Sequence, residues 1–325
     1  MQAYRSLLAM VSPAAEPSPA VQRAAELARA SGATLHLCSF VHDPAADIAA
    51  RLSGAEVAHR VRHDVLREHE EKLQRLTASL AGEGHPVECD VIWARDPAEA
   101  VMAKCVMVGA QVVLKDGQHE STMRRAFYTP LDWKLMRVLP CDLMLVKAGP
   151  EAKPRRLAAA VDVWAGSTAA EGLNKRIIDT ARQLAEYFDA RLDLISVMPH
   201  FPSLQYRSWP GAEAMLAKDN TAHYEAFAQL AASYSIPDDR RHRLIGVPAD
   251  VLDQFVSDNN IDMVVAGSIH QTGWERLLLG STAEALAQRI DADLMLVRPD
   301  QFEAALRKRI DLDELARRYS AQDQA

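Results

Sequence analysis

Cys141-Asp-Leu-Met-Leu-Val-Lys147 returns 151 residues later as Ala292-Asp-Leu-Met-Leu-Val-Arg298. A short aliphatic run of this kind, bounded by polar and turn-forming residues, reads as a strand buried on both faces. Three further landmarks recur in the same order. Trp93-Ala-Arg-Asp-Pro-Ala-Glu-Ala100 answers Leu244-Ile-Gly-Val-Pro-Ala-Asp-Val251 at an offset of 151. Gln111-Val-Val-Leu114 aligns with Met263-Val-Val-Ala266 at 152, and the openings at Arg5 and Arg155 lie 150 apart. So small a drift over four landmarks marks a duplication. A period of this length specifies two domains, because solenoid repeats run to about 20–50 residues.

Within each copy, short aliphatic runs alternate with longer helical patterns, the signature of a parallel sheet covered by helices. In the first copy, strands are expected near 5–11, 34–41, 86–93, 110–115 and 142–147, and helices near 17–31, 54–81, 97–108 and 131–138. In the second, strands are expected near 156–162, 191–198, 241–246, 261–266 and 293–298, and helices near 171–189, 212–234, 248–258 and 281–290. The fold class is therefore α/β: two tandem, doubly wound, open parallel sheets of five strands each. The divisions are 1–150, 151–299 and a charged tail, 300–325, with one helical pattern from Glu303 to Arg318. Open sheets of this type bind ligands at the carboxyl ends of their strands, where strand order reverses. The loops after the first and fourth strands of each copy are thus where chemistry is expected.

Composition sets the outer limits. The 325 residues are 49% hydrophobic and 25% charged, an ordinary balance for a globular chain with two cores. A formal charge of −7 argues against nucleic acid or an anionic membrane surface as partner. No apolar run approaches the roughly 18 residues of a membrane span, and Met1-Gln-Ala-Tyr-Arg5 leads directly into a strand. Cys38, Cys89, Cys105 and Cys141 all fall in the first copy without CxxC spacing, and read as small buried hydrophobes in a reducing compartment. The expected location is the cytoplasm.

The loop after the fourth strand of the second copy runs from Gly267 to Gly280-Ser281-Thr282. Glycine lets backbone approach a ligand closely, and the amides of a helix N-terminus favour an anion. Ser281 and Thr282 either cap the helix or donate to phosphate. Taken alone, the loop reads as a phosphate site or as an ordinary loop with a helix cap. Its pattern, Gly267-x-x-His270-x9-Gly280-Ser281, resembles the nucleotide loop of the universal stress proteins, Gly-x-x-Gly-x9-Gly-[Ser/Thr], at all but one position. Thr272-Gly273, Arg276-Leu-Leu-Leu-Gly-Ser281 and Ala283-Glu284 share that family's wording. Val113-Leu-Lys115 and Tyr128-Thr-Pro-Leu-Asp-Trp-Lys-Leu-Met136 resemble its tandem-domain members in particular. The likeness covers both copies, and implies the fold shared by universal stress proteins and adenine nucleotide α-hydrolases.

The resemblance implies ATP as ligand, with no metal beyond the magnesium that accompanies the nucleotide. By that likeness, Asp162 at the end of the first strand of the second copy contacts adenine and ribose, while Gly267, Gly280 and Ser281, with Thr282, cradle the phosphates. The residue reading alone leaves Asp162 open as a strand-end Asx turn or helix cap. His270 departs from the family glycine. It either takes a left-handed backbone or sends the loop along another path, and its imidazole is a further donor to phosphate. Gln271 replaces the family's arginine, and Arg276 remains as a phosphate ligand or a surface charge. In the first copy Ser12 stands at the place of Asp162, Lys115 at that of Gly267 and Thr129-Pro130 at that of Gly280-Ser281, with the loop one residue longer. Nucleotide binding in the family manner is not expected there. Lys115 either meets an anion or pairs with Asp132 or Asp116.

Other constellations are weaker. His59 and His63 lie four apart on a helix, a metal spacing, but their side opposes the apolar stripe of Val61, Val65, Leu73, Leu76 and Leu80. His36 and Cys38 share a strand face that reads as core. Phe201, Tyr206 and Trp209 fall in a proline-rich loop that either walls an apolar pocket or covers a domain junction. Neither copy shows a nucleophile elbow, paired catalytic carboxylates or a Walker lysine. The expected function is non-enzymatic adenine-nucleotide sensing in a stress response. A carrier of an apolar, lipid-like small molecule and a slow ATPase using water held by Asp162 or His270 stand as alternatives. Single-domain relatives pair through edge strands, which implies an intramolecular pseudo-dimer with Leu143–Val146 facing Leu294–Val297. Further homodimerisation and the identity of any regulatory protein partner are left open.

Overall fold

The computed structural model describes residues 3–80, 82, 84–117, 130–147, 153–163, 168–199, 212–268 and 280–323. The chain divides into two compact units, Met1–Lys153 with Phe302–Ala325, and Pro154–Gln301. In the first unit the elements are β1 (Ser6–Val11), α1 (Pro19–Ser31), β2 (Thr34–Val41), α2 (Pro44–Ser53), α3 (Ala55–Leu80), β3 (Val87–Trp93), α4 (Pro97–Val108), β4 (Val112–Asp116), α5 (Pro130–Val138) and β5 (Asp142–Val146). Its strands are parallel in the order β3-β2-β1-β4-β5. In the second unit they are β6 (Arg156–Val161), α6 (Thr168–Phe188), β7 (Arg191–Pro199), α7 (Ala212–Ser233), β8 (Arg241–Gly246), α8 (Pro248–Asp258), β9 (Met263–Gly267), α9 (Ser281–Arg289) and β10 (Asp293–Val297). These strands are also parallel, in the order β10-β9-β6-β7-β8. The doubly wound α/β architecture read from the sequence is the architecture observed.

Local chemistry explains most boundaries. Ser18 caps α1 through Val21 N and Asp96 caps α4 through Ala98 N and Glu99 N, each ahead of a proline in the first turn. Both helices stop on a left-handed glycine, Gly32 (φ 74°) and Gly109 (φ 60°). The same signature went unread at α2, where Asp43 Oδ1 accepts from Ala45 N at 2.8 Å, Pro44 opens the helix and Gly54 follows it. The central strands are buried on both faces, with Leu7, Leu8, Val112, Val113, Leu157, Val264 and Val265 all fully buried. That burial is why they read as continuous apolar runs.

It is also why the sequence alignment slips at one place. In the sheets Val112 lies opposite Asp142, as Met263 lies opposite Asp293. Gln111 Oε1 accepts from Arg5 N and Ser6 N, and Asp262 Oδ2 accepts from Arg155 N and Arg156 N, so residues 111 and 262 play one role. The offset here is 151, not 152. Asp116, rather than Lys115, is the counterpart of Gly267, and the two loops are of equal length. A strand apolar on both faces offers no alternation to set its phase, yet one residue of slip turns every side chain to the other face.

The tail also differs from expectation. It forms two helices, α10 (Phe302–Arg307) and α11 (Leu312–Asp323), because Asp311 Oδ1 takes Glu314 N at 2.8 Å and starts a new helix. Both belong to the first unit. There α11 packs on α4, with Arg318 Nη2 2.9 Å from Glu99 Oε2 and Ser320 Oγ donating to Met107 Sδ at 3.6 Å.

Candidate functional site

Strand order reverses between β6 and β9 in the second unit and between β1 and β4 in the first. The crevice at the carboxyl ends of these neighbouring strands is where an open parallel sheet receives a ligand. In the second unit β6 ends at Val161 and Asp162 follows it, exposed. A buried amide from α6 grips its backbone: Asn174 Nδ2 donates to Asp162 O at 2.7 Å, and Asp162 N donates to Asn174 Oδ1 at 3.1 Å. These two bonds fix the strand end. Sequence reasoning passed over Asn174. Its signal was a lone amide among Leu173, Ile177, Ile178 and Ala181, which form the buried stripe of α6.

Beside Asp162, β9 ends at Gly267. A Cβ at this glycine would come within 2.8 Å of Leu173 Cδ2, so a side chain here would have to displace Leu173 of α6. The next residue, Ser268, is fully buried, and its Oγ has no hydrogen-bond partner among the described residues. Its carbonyl accepts from Gly280 N at 3.2 Å, pinning together the two ends of the 269–279 loop. Gly280 is buried and supplies no side-chain cap to α9, while Ser281 is exposed and Thr282 half-buried on its first turn. An uncapped helix N-terminus aimed at a strand-end crevice is a receptor for an anion. Asp162, Gly267, Gly280, Ser281 and Thr282 thus gather at the carboxyl ends of two adjacent strands and the start of α9. His270, Gln271 and Arg276 lie outside the described residues, as do Phe201, Tyr206 and Trp209.

A second polar group sits deeper. Ser196, paired with Val161 in the sheet, is buried, and its Oγ lies 3.2 Å from Nε2 of buried His223 on α7. Burial pushes the His223 imidazole below its ordinary range, as does the Arg243 charge, while Asp162 pulls in the opposite direction. Ser196 and His223 therefore belong to the electrostatic surroundings of Asp162. A polar residue on an otherwise helix-covered strand was the available clue.

The first unit fills the same crevice with its own charges. Asp116, at the place of Gly267, accepts from Ala20 N at 2.8 Å in the first turn of α1. Lys115 Nζ lies 2.7 Å from Asp132 Oδ1 and donates to Asp116 O at 3.0 Å, which realises the paired reading of that lysine. Asp132 is in the first turn of α5 and is 1% exposed, so a carboxylate occupies the helix start where the second unit leaves amides open.

The remaining constellations carry no site. His59 and His63 are exposed, and no cluster of metal-ligating side chains occurs among the described residues. They line, with Arg62, Arg67, Glu70, Cys89 and Asp90, a groove of about 470 Å³ along the outer edge strand β3, away from the switch point. Its charges are mixed, and Asp90 is already held by Lys104. His36 and Cys38 are core, as read, with His36 Nδ1 3.2 Å from Glu88. No described helix is long and apolar enough to cross a membrane.

Comparison with known proteins agrees with this geometry. The model of the universal stress protein family matches twice, over residues 3–147 and 154–298. Universal stress protein E of Escherichia coli K12 is 24% identical over 306 residues, covering 93% of this chain and 96% of its own. The homologous protein of Photorhabdus laumondii is 23% identical over 311 residues, with 94% and 99% covered. Among solved structures, a protein of unknown function from Pseudomonas aeruginosa PAO1 aligns with a TM-score of 0.71 at 23% identity, covering 97% of this chain and 98% of its own. A universal stress protein from Archaeoglobus fulgidus aligns at 0.60 with 13% identity over 90% and 98%. Likeness at this level of identity carries the fold.

Proposed function

The chain belongs to the universal stress protein family, and on that premise we propose that its second copy binds an adenine nucleotide as a sensor and not as a catalyst. The observation that supports this most is the contrast between the two crevices. Where the first copy places Asp116 and a Lys115 paired with buried Asp132, the second has Gly267, a Ser268 hydroxyl without a partner among the described residues, and the start of α9 without a side-chain cap from Gly280. The second crevice suits an anion; the first is already occupied by carboxylates.

In this reading ATP, with its magnesium, lies across the carboxyl ends of β6 and β9. Asp162 takes the ribose and base side, held in place by Asn174. Amides at the start of α9 and the hydroxyls of Ser281 and Thr282 receive phosphate oxygens. Gly267 keeps the approach free of side chain, and His270 is a further candidate donor to phosphate.

The test is ligand-induced stabilisation of the full chain. A ligand that binds only the folded state adds about 2.7 kcal/mol at a hundredfold excess over its Kd. Magnesium-ATP should raise the melting temperature saturably, and Asp162→Ala should remove most of the shift. A flat titration in the wild-type chain, or a shift untouched by Asp162→Ala, would sink the proposal.

A further inference from the structure

All four cysteines lie in the first copy, and two of them face each other. Cys105 Sγ, on α4, is 3.9 Å from Cys141 Sγ, in the turn before β5. Cys105 is 2% exposed, whereas Cys141 is half-buried. We propose that Cys105 and Cys141 form a redox-active pair that closes to an intramolecular disulfide when the protein meets a peroxide.

The internal duplication supplies a control within the molecule. At the fixed offset of 151, the counterparts of Cys105 and Cys141 are Val256 and Ala292, both buried. The counterpart of Cys38 is Ile195, set by the matching registers of β1 with β2 and β6 with β7. At these positions the fold needs only a small apolar side chain, which cysteine also provides. Packing therefore accounts for either cysteine singly. It does not account for two thiols on opposite sides of one contact in the copy that has lost the nucleotide crevice.

The environments divide the labour. Burial, and then the neighbouring Cys141, push the Cys105 thiol well above its ordinary range, so Cys105 stays protonated and is a poor first nucleophile. Cys141 is the thiol an oxidant can reach. Its thiolate attacks one oxygen of hydrogen peroxide: an S–O bond forms, the O–O bond breaks, and the departing hydroxide takes a proton to leave as water. The Cys105 sulfur then attacks the sulfur of the Cys141 sulfenic acid. The S–S bond forms, the S–O bond breaks, and the hydroxide released takes the Cys105 proton as a second water. Two thiols lose two electrons and two protons, and one peroxide becomes two waters. The sulfurs must approach by about 2 Å to reach the length of a disulfide bond. The product ties α4, on which α11 rests, to the entry of β5.

The experiment uses the full-length chain, treated with graded hydrogen peroxide, alkylated, digested and mapped by mass spectrometry. The expected result is a Cys105–Cys141 linked peptide that has lost two hydrogens and is reversed by dithiothreitol. Cys105→Val and Cys141→Ala install the second copy's own residues and should fold. Each should abolish the link, with Cys105→Val leaving a sulfenic acid on Cys141 that dimedone traps. Formation in the wild-type chain should accelerate as pH rises. The proposal is overturned if no such link forms at peroxide levels that oxidise Cys89. It is equally overturned if Cys141 pairs with another cysteine, or if dimedone labels Cys105 before Cys141.

Discussion

Asn174 holds both backbone groups of Asp162, so the geometry of the strand end depends on a side chain that touches no ligand. Asn174→Ala should weaken ATP binding by about tenfold, equivalent to about 1.4 kcal/mol. It should also cost about 1–3 kcal/mol of stability, because two hydrogen bonds are lost in a buried place. Titration calorimetry and urea melts separate the two effects. Equal affinity in the variant would remove Asn174 from the site. In the first copy, Lys115→Met leaves Asp132 buried without its cation and should destabilise the chain by about 3–5 kcal/mol. The double change with Asp132→Leu should recover most of that loss in the same melts. Burial pushes the imidazoles of His36, His85 and His223 below the ordinary value of 6.5. Above 6.5 all three are neutral in both states and stability is at its plateau. As pH falls below 6.5 toward the depressed folded values, the unfolded chain takes up protons first and stability declines. Neither ring nitrogen of His85 has a hydrogen-bond partner among the described residues. His85→Leu should therefore flatten part of the decline in urea midpoint between pH 7.5 and 5.5, and an unchanged slope would count against it. The positions of Asp162, Gly267 and Gly280 were legible in sequence because strand ends and helix starts announce themselves, while the roles expected of them came from the resemblance. Asn174 and His223 were not, since a polar side chain on a helix declares its partner only once the helix is packed.

Among the elements, the ten strands were readable from their apolar runs and the longer helices from their period. Two failures have physical causes. At α2, ten residues between Asp43-Pro44 and Gly54 carry clear start and stop signals, but the long helix that follows absorbed them into one loop-and-helix reading. At β4 the doubly buried run Val112-Val-Leu114 gave no alternation to phase the repeat, and only hydrogen bonds through Gln111 and Asp262 fixed it. The corrected register matters to function, because it puts Asp116 rather than Lys115 where the second copy has Gly267. The tail tests element packing in another way. Arg318–Glu99 is an exposed pair, while Leu312 is 1% exposed on the same helix. Arg318→Ala should change stability by less than about 1 kcal/mol, and Leu312→Ala should cost about 2–5 kcal/mol. Comparable effects from the two substitutions in denaturant melts would mean that α11 is held by charge and not by its apolar face.

For the molecule as a whole, duplication has given two copies of one sheet with unlike crevices. The first has carboxylates at the strand end and at the helix start, and carries every cysteine. The second has a glycine, an unpartnered hydroxyl and an uncapped helix at the same places. The fold was legible because the repeat is written in buried strands, which tolerate little change. The asymmetry was only partly legible, since the slipped alignment set Lys115 against Gly267, where the sheet registers set Asp116. The most direct test is equilibrium dialysis of the full chain against labelled magnesium-ATP at saturation, with Asp162→Ala and the Lys115→Met, Asp132→Leu double variant in parallel. One nucleotide per chain, lost in Asp162→Ala and retained in the double variant, is the result expected. Two nucleotides per chain, or one that survives Asp162→Ala and vanishes in the double variant, would contradict it.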